Sequence, residues 1–200
     1  MFYPGHLFPF TATLEANWRL IRDEMLALPA GRFIPWKETK LYDTGWDVFG
    51  LHAFGKRDAE HCALCPKTAG IVEAIPGLIT AGFSSMKPHT HIQPHVGYAY
   101  SFSETGELVR CELNNRVLRG HLGLVIPKSY SGFGCALEVG GELHVWKEGE
   151  CVFFEDTVEH QAWNRTEETR VVMLFDFEKP KDLVDLRDAP SKSTSDTVAL

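Results

Sequence analysis

The stretch 116-RVLRGHLGLVI-126 decides how the rest of the chain is read. Strand alternation places Arg119 and His121, two residues apart, on one face, and Leu118, Leu122, Leu124 and Ile126 on the other. Such a strand has one packed face and one polar face. The polar face either meets solvent or lines a site.

Working outward, segments of the same kind recur: "LITAGFSSM" (78–86), "GCALEV" (134–139), "ELHVW" (142–146), "ECVFFE" (150–155), "HQAWN" (160–164) and "RVVMLFDFE" (170–178). They are short, aromatic and β-branched, and Gly, Pro, Asn and acidic turns separate them. This spacing predicts an all-β sandwich or barrel. Ahead of it, Leu14, Trp18, Ile21, Met25 and Leu28 recur at helical period. Thr11 or Thr13 is placed to cap that helix, and Pro29 and Gly31 end it. A second short helix is expected from Thr68 to Ala74, stopped by Pro76 and Gly77. Residues 98–115 read as a long loop or hairpin. The expected organisation is one domain, 1–185, with a helical N-terminal part (1–77) and a β core (78–180). A small, polar, disordered tail (186–200) follows.

Composition narrows the function classes. The chain has 200 residues, 44% hydrophobic and 24% charged, enough for one well-filled core. A net charge of -7 argues against nucleic acid or an anionic membrane surface as partner. No apolar run approaches the ~20 residues a bilayer span needs. The start "MFYPGHLFPF" has no basic region and no small-residue cleavage site. Of five cysteines, Cys111, Cys135 and Cys151 are scattered, as expected of a reduced, cytoplasmic protein. Cys62 and Cys65 form a CxxC, but without a second ligand pair they read as ordinary buried thiols.

Three features carry chemistry. "HTHIQPHVG" (89–97) holds three histidines, which points to a transition metal. By parity His89, His91 and His95 can share a face, although Pro94 interrupts a regular strand. Second, "EHQAWNRTEETRVVMLF" (159–175) reads as a hairpin centred on Arg165. That register sets His160 opposite Arg170, about 5 Å apart at Cβ. A cation beside an imidazole is costly when buried, so an anion or metal must compensate. Third, Asp156 lies four residues before His160, within reach of the same pocket; otherwise it is a turn acid. No phosphate loop, GxGxxG, nucleophile elbow or HExxH is present.

Taken in order, "FSSM…PHTHIQPHVG", "RGHLGLVIP", "FFEDTVEHQAWN" and "TRVVMLFDF" resemble the aspartyl/asparaginyl β-hydroxylase family of Fe(II)- and 2-oxoglutarate-dependent oxygenases. "FPFTATLEANWRLIRDEM" and "CPKTAGIVEAIPG" resemble the family's N-terminal part, so only the tail falls outside. The resemblance implies a mainly β fold, a double-stranded β-helix (jelly roll, cupin-like) with N-terminal helices packed outside. It implies His95 and His160 as iron ligands. Ser84 and Arg170 would grip the distal carboxylate of 2-oxoglutarate. Arg119 and His121 would lie at its metal end, with Arg119 also near substrate. Among the three clustered histidines only the resemblance selects His95, leaving His89 and His91 supporting roles. Most such oxygenases add a carboxylate two residues after the first histidine. Here that position is Gly97, as in this family, so water would fill the vacancy and Asp156 would orient it.

The implied reaction couples oxidation of 2-oxoglutarate by molecular oxygen, giving succinate and CO2, to hydroxylation of an amino-acid unit. The expected target is Cβ of an Asp- or Asn-type residue, free or in a small peptide or natural product. Peptide-modifying members carry another arginine two residues before the RxH pair; here Val117 stands there, so the substrate grip differs. The competing reading is a non-oxidative cupin-like metal- or ligand-binding module.

Overall fold

The computed structural model describes residues 1–97, 100–102, 108–110, 116–129 and 132–183. The α-helices include α1 (Thr11–Ala16), α2 (Trp18–Leu26), α3 (Ala59–Leu64) and α4 (Pro66–Glu73). The strands are β1 (Phe2–Tyr3), β2 (Ile34–Pro35), β3 (Trp46–Ala53), β4 (Lys56–Arg57), β5 (Leu78–Met86), β6 (His91–His95), β7 (Tyr100–Phe102), β8 (Leu108–Arg110), β9 (Val117–Val125), β10 (Cys135–Val139), β11 (Glu142–Val145), β12 (Cys151–Phe154), β13 (His160–Asn164) and β14 (Arg170–Glu178). A main sheet runs β1-β12-β9-β14-β5-β3-β2, with β4 on β3. A smaller sheet runs β11-β10-β13-β6 and packs on one of its faces. All strand pairs are antiparallel. This is the jelly roll with outer helices that the motifs implied.

Two apolar clusters hold the layers together. Leu14, Ile21 and Met25 from the helices meet Phe49, Phe83, Leu118, Leu122, Leu124, Met173, Phe175 and Phe177 from the main sheet. On the opposite face Trp46, Met86, Trp146, Phe154 and Val172 meet Ile92, Leu137, Val139 and Ala162 of the smaller sheet. The β9 leucines therefore face the helices, as alternation required. Arg119 and His121 face the smaller sheet rather than solvent. Ile126 departs from the expected face and packs against the second cluster. Its shift follows a bulge: Val172 pairs with Gly123 but Val171 with Val125, which leaves Leu124 as an extra residue.

Several expectations are corrected. Residues 1–77 are not all helical, because β3 belongs to the main sheet, between β5 and the edge strand β2. Its side chains are buried on both faces, Trp46 in one cluster and Phe49 and Leu51 in the other, so no one-sided alternation marks it. The first helix is two helices, interrupted at Asn17, whose side-chain amide bonds the Thr13 carbonyl at 2.8 Å. Neither Thr11 nor Thr13 caps it by a side-chain bond; the N-cap is Phe10. The second helix begins earlier, at Pro66, and α3, capped by Asp58 accepting from the His61 amide, precedes it. Residues 100–102 and 108–110 pair as a hairpin, and the rest of the 98–115 segment lies outside the described residues. So does the expected tail, 186–200.

The hairpin expected around Arg165 does not form. β13 belongs to the smaller sheet and β14 to the main one, so residues 165–169 carry the chain between layers. Asn164 organises this corner from a fully buried position. Its amide nitrogen donates to the Met86, Lys87 and Glu168 carbonyls at 2.9, 3.0 and 2.7 Å. Its oxygen accepts from the Thr166 amide and hydroxyl at 3.1 and 2.7 Å. These bonds satisfy backbone groups that a cross-strand ladder would otherwise have taken. Replacing Asn164 by alanine strands buried carbonyls, and we expect a loss of about 2–4 kcal/mol. Urea unfolding should show a lower midpoint at unchanged slope.

Candidate functional site

A small cavity opens between the sheets, lined by Trp46, Ser84, Ile92, His95, Arg119, His121, Leu137, Phe154, His160, Ala162, Arg170 and Leu174. Six of the seven residues singled out in the sequence thus share one cavity. The seventh, Asp156, touches two of them. His89 and His91 do not line it: His89 reaches Glu167 at 3.2 Å, and His91 reaches Gln161 Oε1 at 2.9 Å. Cys62 and Cys65 are buried elsewhere, with burial pushing both thiols up, Cys65 to about 11.

His95 on β6 and His160 on β13 are direct cross-strand partners, with ring centroids 4.3 Å apart. Each ring is fixed the same way. His95 Nδ1 lies 2.7 Å from the Gln93 carbonyl, and His160 Nδ1 lies 2.8 Å from the Val158 carbonyl. A carbonyl only accepts, so Nδ1 carries the proton and Nε2 keeps its lone pair in a neutral ring. Burial, reinforced by His95 alongside, pushes His160 down to about 3, so that ring is neutral at ordinary pH. Its Nε2 nevertheless sits 3.3 Å from Asp156 Oδ1. Two acceptors thus face one another at that distance, an arrangement that a shared cation would relieve.

Gly97 explains how Asp156 gets there. A Cβ built on residue 97 would fall 1.5 Å from Asp156 Oδ2. The Gly97 amide also donates to the Asp156 carbonyl at 2.7 Å. The carboxylate therefore fills the room that a side chain at 97 would occupy.

The other pole of the cavity is cationic. Arg170 is 1% exposed, and no carboxylate pairs with it among the described residues. Its Nη1 donates to the Ser84 carbonyl at 3.3 Å, its Nη2 meets Met86 Sδ, and its guanidinium lies 4.5 Å over the Trp146 ring. Among the described residues its Nε has no partner. Burial pushes it down to about 10. Ser84 Oγ accepts from Trp46 Nε1 at 3.1 Å, which leaves its hydroxyl proton to donate. His121 is buried, neither ring nitrogen has a partner among the described residues, and burial together with Arg170 and Arg119 pushes it well below the usual histidine range. These are orphaned polar groups of the kind a bound polar ligand satisfies.

Arg119 has different company. Burial works against its charge, but Asp156 and Asp176 outweigh it and hold the guanidinium above its ordinary value. Trp46, Trp146 and Asp176 were not singled out in the sequence. The tryptophans sit in strand-like text, where core packing explains them. Asp176 stands six residues after Arg170 on the same strand, hence on the same face, which was the available signal.

A model of the family described as aspartyl/asparaginyl beta-hydroxylase matches residues 15–180. An ornithine lipid ester-linked acyl 2-hydroxylase of Rhizobium tropici is 36% identical over 186 residues, covering 89% of this chain and 60% of that protein. The human aspartyl/asparaginyl beta-hydroxylase is 34% identical over 179 residues, covering 84% of this chain and 21% of that protein. The chain thus spans less than two thirds of either relative's length. Among solved structures, a prolyl hydroxylase of Trichoplax adhaerens, in complex with a hypoxia inducible factor oxygen degradation domain peptide fragment, superposes with a TM-score of 0.54 at 10% identity. The overlap covers 82% of this chain and 79% of that one, and the likeness is one of fold. No helix among the described residues is long and apolar enough to cross a membrane.

The Gly97–Asp156 contact has a direct test. Gly97→Ala should cost about 1–3 kcal/mol by overpacking. Asp156→Ala removes the obstructing group, so the double variant should lose clearly less than the sum of the singles. Additive losses in a double-mutant cycle of urea midpoints would mean that the two positions do not compete for space.

Proposed function

Because the chain belongs to the aspartyl/asparaginyl β-hydroxylase family, we propose that it is an Fe(II)- and 2-oxoglutarate-dependent hydroxylase. One observation carries the reading: a pole that calls for a cation and a pole that calls for an anion face each other across one cavity. The donor set fits the metal. His95 and His160 would hold Fe(II) through Nε2, each ring oriented by its Nδ1 bond to a backbone carbonyl. Gly97 supplies no third ligand, and water would complete the coordination, oriented by Asp156. Bound there, Fe(II) supplies the redox chemistry on oxygen that no side chain carries.

The protein's own part is position and charge. Arg170 would pair with the distal carboxylate of 2-oxoglutarate, repaying the cost of burying a guanidinium without a counter-ion. The Ser84 hydroxyl would donate to the same carboxylate while Trp46 holds its oxygen. His121 and Arg119 border the metal end, where the orphaned His121 nitrogens await a partner. Apolar neighbours Ile92, Leu137 and Phe154 exclude water from the cavity.

The target is inferred from what the two named relatives share. Cβ of an aspartyl or asparaginyl unit and C2 of an acyl ester are each a methylene next to a carbonyl carbon. We take such a methylene as the substrate class, in an amino-acid unit or an acyl chain. The C–H becomes C–OH as one oxygen atom enters the substrate and the other enters succinate, with CO2 released.

The deciding experiment is anaerobic binding of Fe(II) and 2-oxoglutarate, followed by succinate release when oxygen is admitted. Binding of both without succinate would instead favour a cupin-like binding module. Arg170→Ala should raise the 2-oxoglutarate requirement about ten-fold to over a hundred-fold, the loss of one charged hydrogen-bond partner. Wild-type dependence on 2-oxoglutarate in that variant would remove Arg170 from the role. His160→Ala should abolish stoichiometric iron binding, measured by metal analysis after desalting.

A further inference from the structure

The two arginines of the cavity differ in one respect: Arg170 faces no carboxylate among the described residues, whereas Arg119 faces two. Arg119 Nε donates to Asp176 Oδ1 at 2.7 Å, and its Nη2 donates to Asp176 Oδ2 at 3.1 Å. Its Nη1 meets Asp156 Oδ1. Asp156 in turn lies 3.3 Å from His160 Nε2. The row Asp176–Arg119–Asp156–His160 runs from β14 through β9 and the β12–β13 connection to β13, and so joins the two sheets. Burial raises the Asp176 carboxyl, yet both its oxygens accept N–H groups from Arg119, the pattern of the ionised form.

Geometry gives the row a direction. Arg119 and Asp176 are paired Cα to Cα across β9 and β14. The two-pronged bond between them fixes the plane of the guanidinium and its rotation, and so where Nη1 points. A lysine could not do this, because an ammonium carries no fork. Nη1 then meets a carboxylate that occupies the space left by Gly97.

We propose that Asp176 is a positioning residue: it locks Arg119, and Arg119 in turn aims the Asp156 carboxylate at the space beside the His95 and His160 rings. The inference rests on the metal pole proposed above. It gives Arg119 a different part from Arg170. With its two acids Arg119 forms a unit of net charge minus one, which strengthens the pull on a cation beside it. In a buried site an incoming carboxylate favours the cation whose charge is uncompensated, and that is Arg170. Arg119 keeps spare N–H donors, but its charge is engaged.

The two roles separate in one experiment on the full chain, with Co(II) as the probe metal. Asp176→Asn should weaken Co(II) binding about 10- to 100-fold, the range for loss of an outer support of a metal site. The visible Co(II) absorption band should also change shape. The affinity of the Co(II)-saturated protein for 2-oxoglutarate, read by calorimetry, should not fall below the wild-type value. Arg170→Ala should do the reverse, keeping the Co(II) band and affinity while weakening 2-oxoglutarate. A folded Asp176→Asn protein with wild-type Co(II) affinity and band would overturn the inference, leaving Asp176 as a plain structural partner. Should that variant fail to fold, Arg119→Lys keeps the cation and removes the fork, and a wild-type Co(II) band there would overturn it equally. Failure of the unaltered protein to bind Co(II) would remove the metal pole and this inference with it; normal wild-type binding with an unresponsive Asp176→Asn defeats this inference alone.

Discussion

A guanidinium buried to 1% exposure, without a carboxylate partner among the described residues, is the constraint around which this structure is arranged. Desolvating an unpaired cation costs several kcal/mol even after local relaxation. The protein offsets part of that with weak or partial partners: the Ser84 carbonyl, the Met86 sulfur and the face of Trp146. None of these carries a full negative charge, and among the described residues Nε has no partner. A fold that needed Arg170 only for stability would have gained from an apolar residue there. The position makes physical sense as one half of an interaction completed by a small anion.

The jelly roll supplies what that arrangement needs, because its two sheets close over the cavity from opposite sides. Arg170, Ser84, Arg119 and His121 come from the main sheet, and His95 and His160 from the smaller one. Strand pairing sets the order within each layer. Met86 lies opposite Arg170, and Ser84 lies opposite Val172 one dipeptide along, so Ser84 and Arg170 share a face. His95 lies opposite His160 in the other sheet. The distance between the poles is therefore set by sheet packing, with Ile92, Leu137, Phe154 and Trp46 as its spacers.

Much of this was legible in the chain, and the failures have identifiable causes. The β9 leucines marked a packed face because that face is packed continuously against helices. His160 and Arg170 were expected to meet, and they do line one cavity, but for another reason. The sequence pattern fits a hairpin about Arg165, while the Asn164 side chain turns the chain into the other layer. Pattern reasoning cannot see that one amide will satisfy three backbone carbonyls. β3 was missed because strands buried on both faces lose the alternation that reveals strands. Asp176 was missed because an acid inside an apolar strand shows its meaning only once the strand beside it is known. The selection of His95 over His89 and His91 came from family resemblance alone; local parity left all three open.

The exchange of space between Gly97 and Asp156 is the point where fold and proposed chemistry meet most closely. Gly97 removes a side chain from β6's end, and the space is filled by Asp156, which arrives on a different part of the chain. Such a substitution works only if the arriving segment is held firmly, and its neighbour provides the hold. Glu155 is buried beside Asp156, where it accepts from Tyr3 at 2.8 Å and from Lys179 at 2.6 Å. The Lys179 and Glu155 side chains are 1% and 6% exposed, so this pair is little screened by water. Tyr3 lies on β1 and Lys179 follows β14, so the backbone at 155 is pinned from both ends of the described chain. With residue 155 fixed, Asp156 has only its own rotamer to settle, and Arg119 settles that. A carboxylate placed in this way reaches the proposed metal pole without being carried on the strand that bears His95. In the proposed site, the coordination position beside that histidine would then be left to a small molecule rather than to the protein.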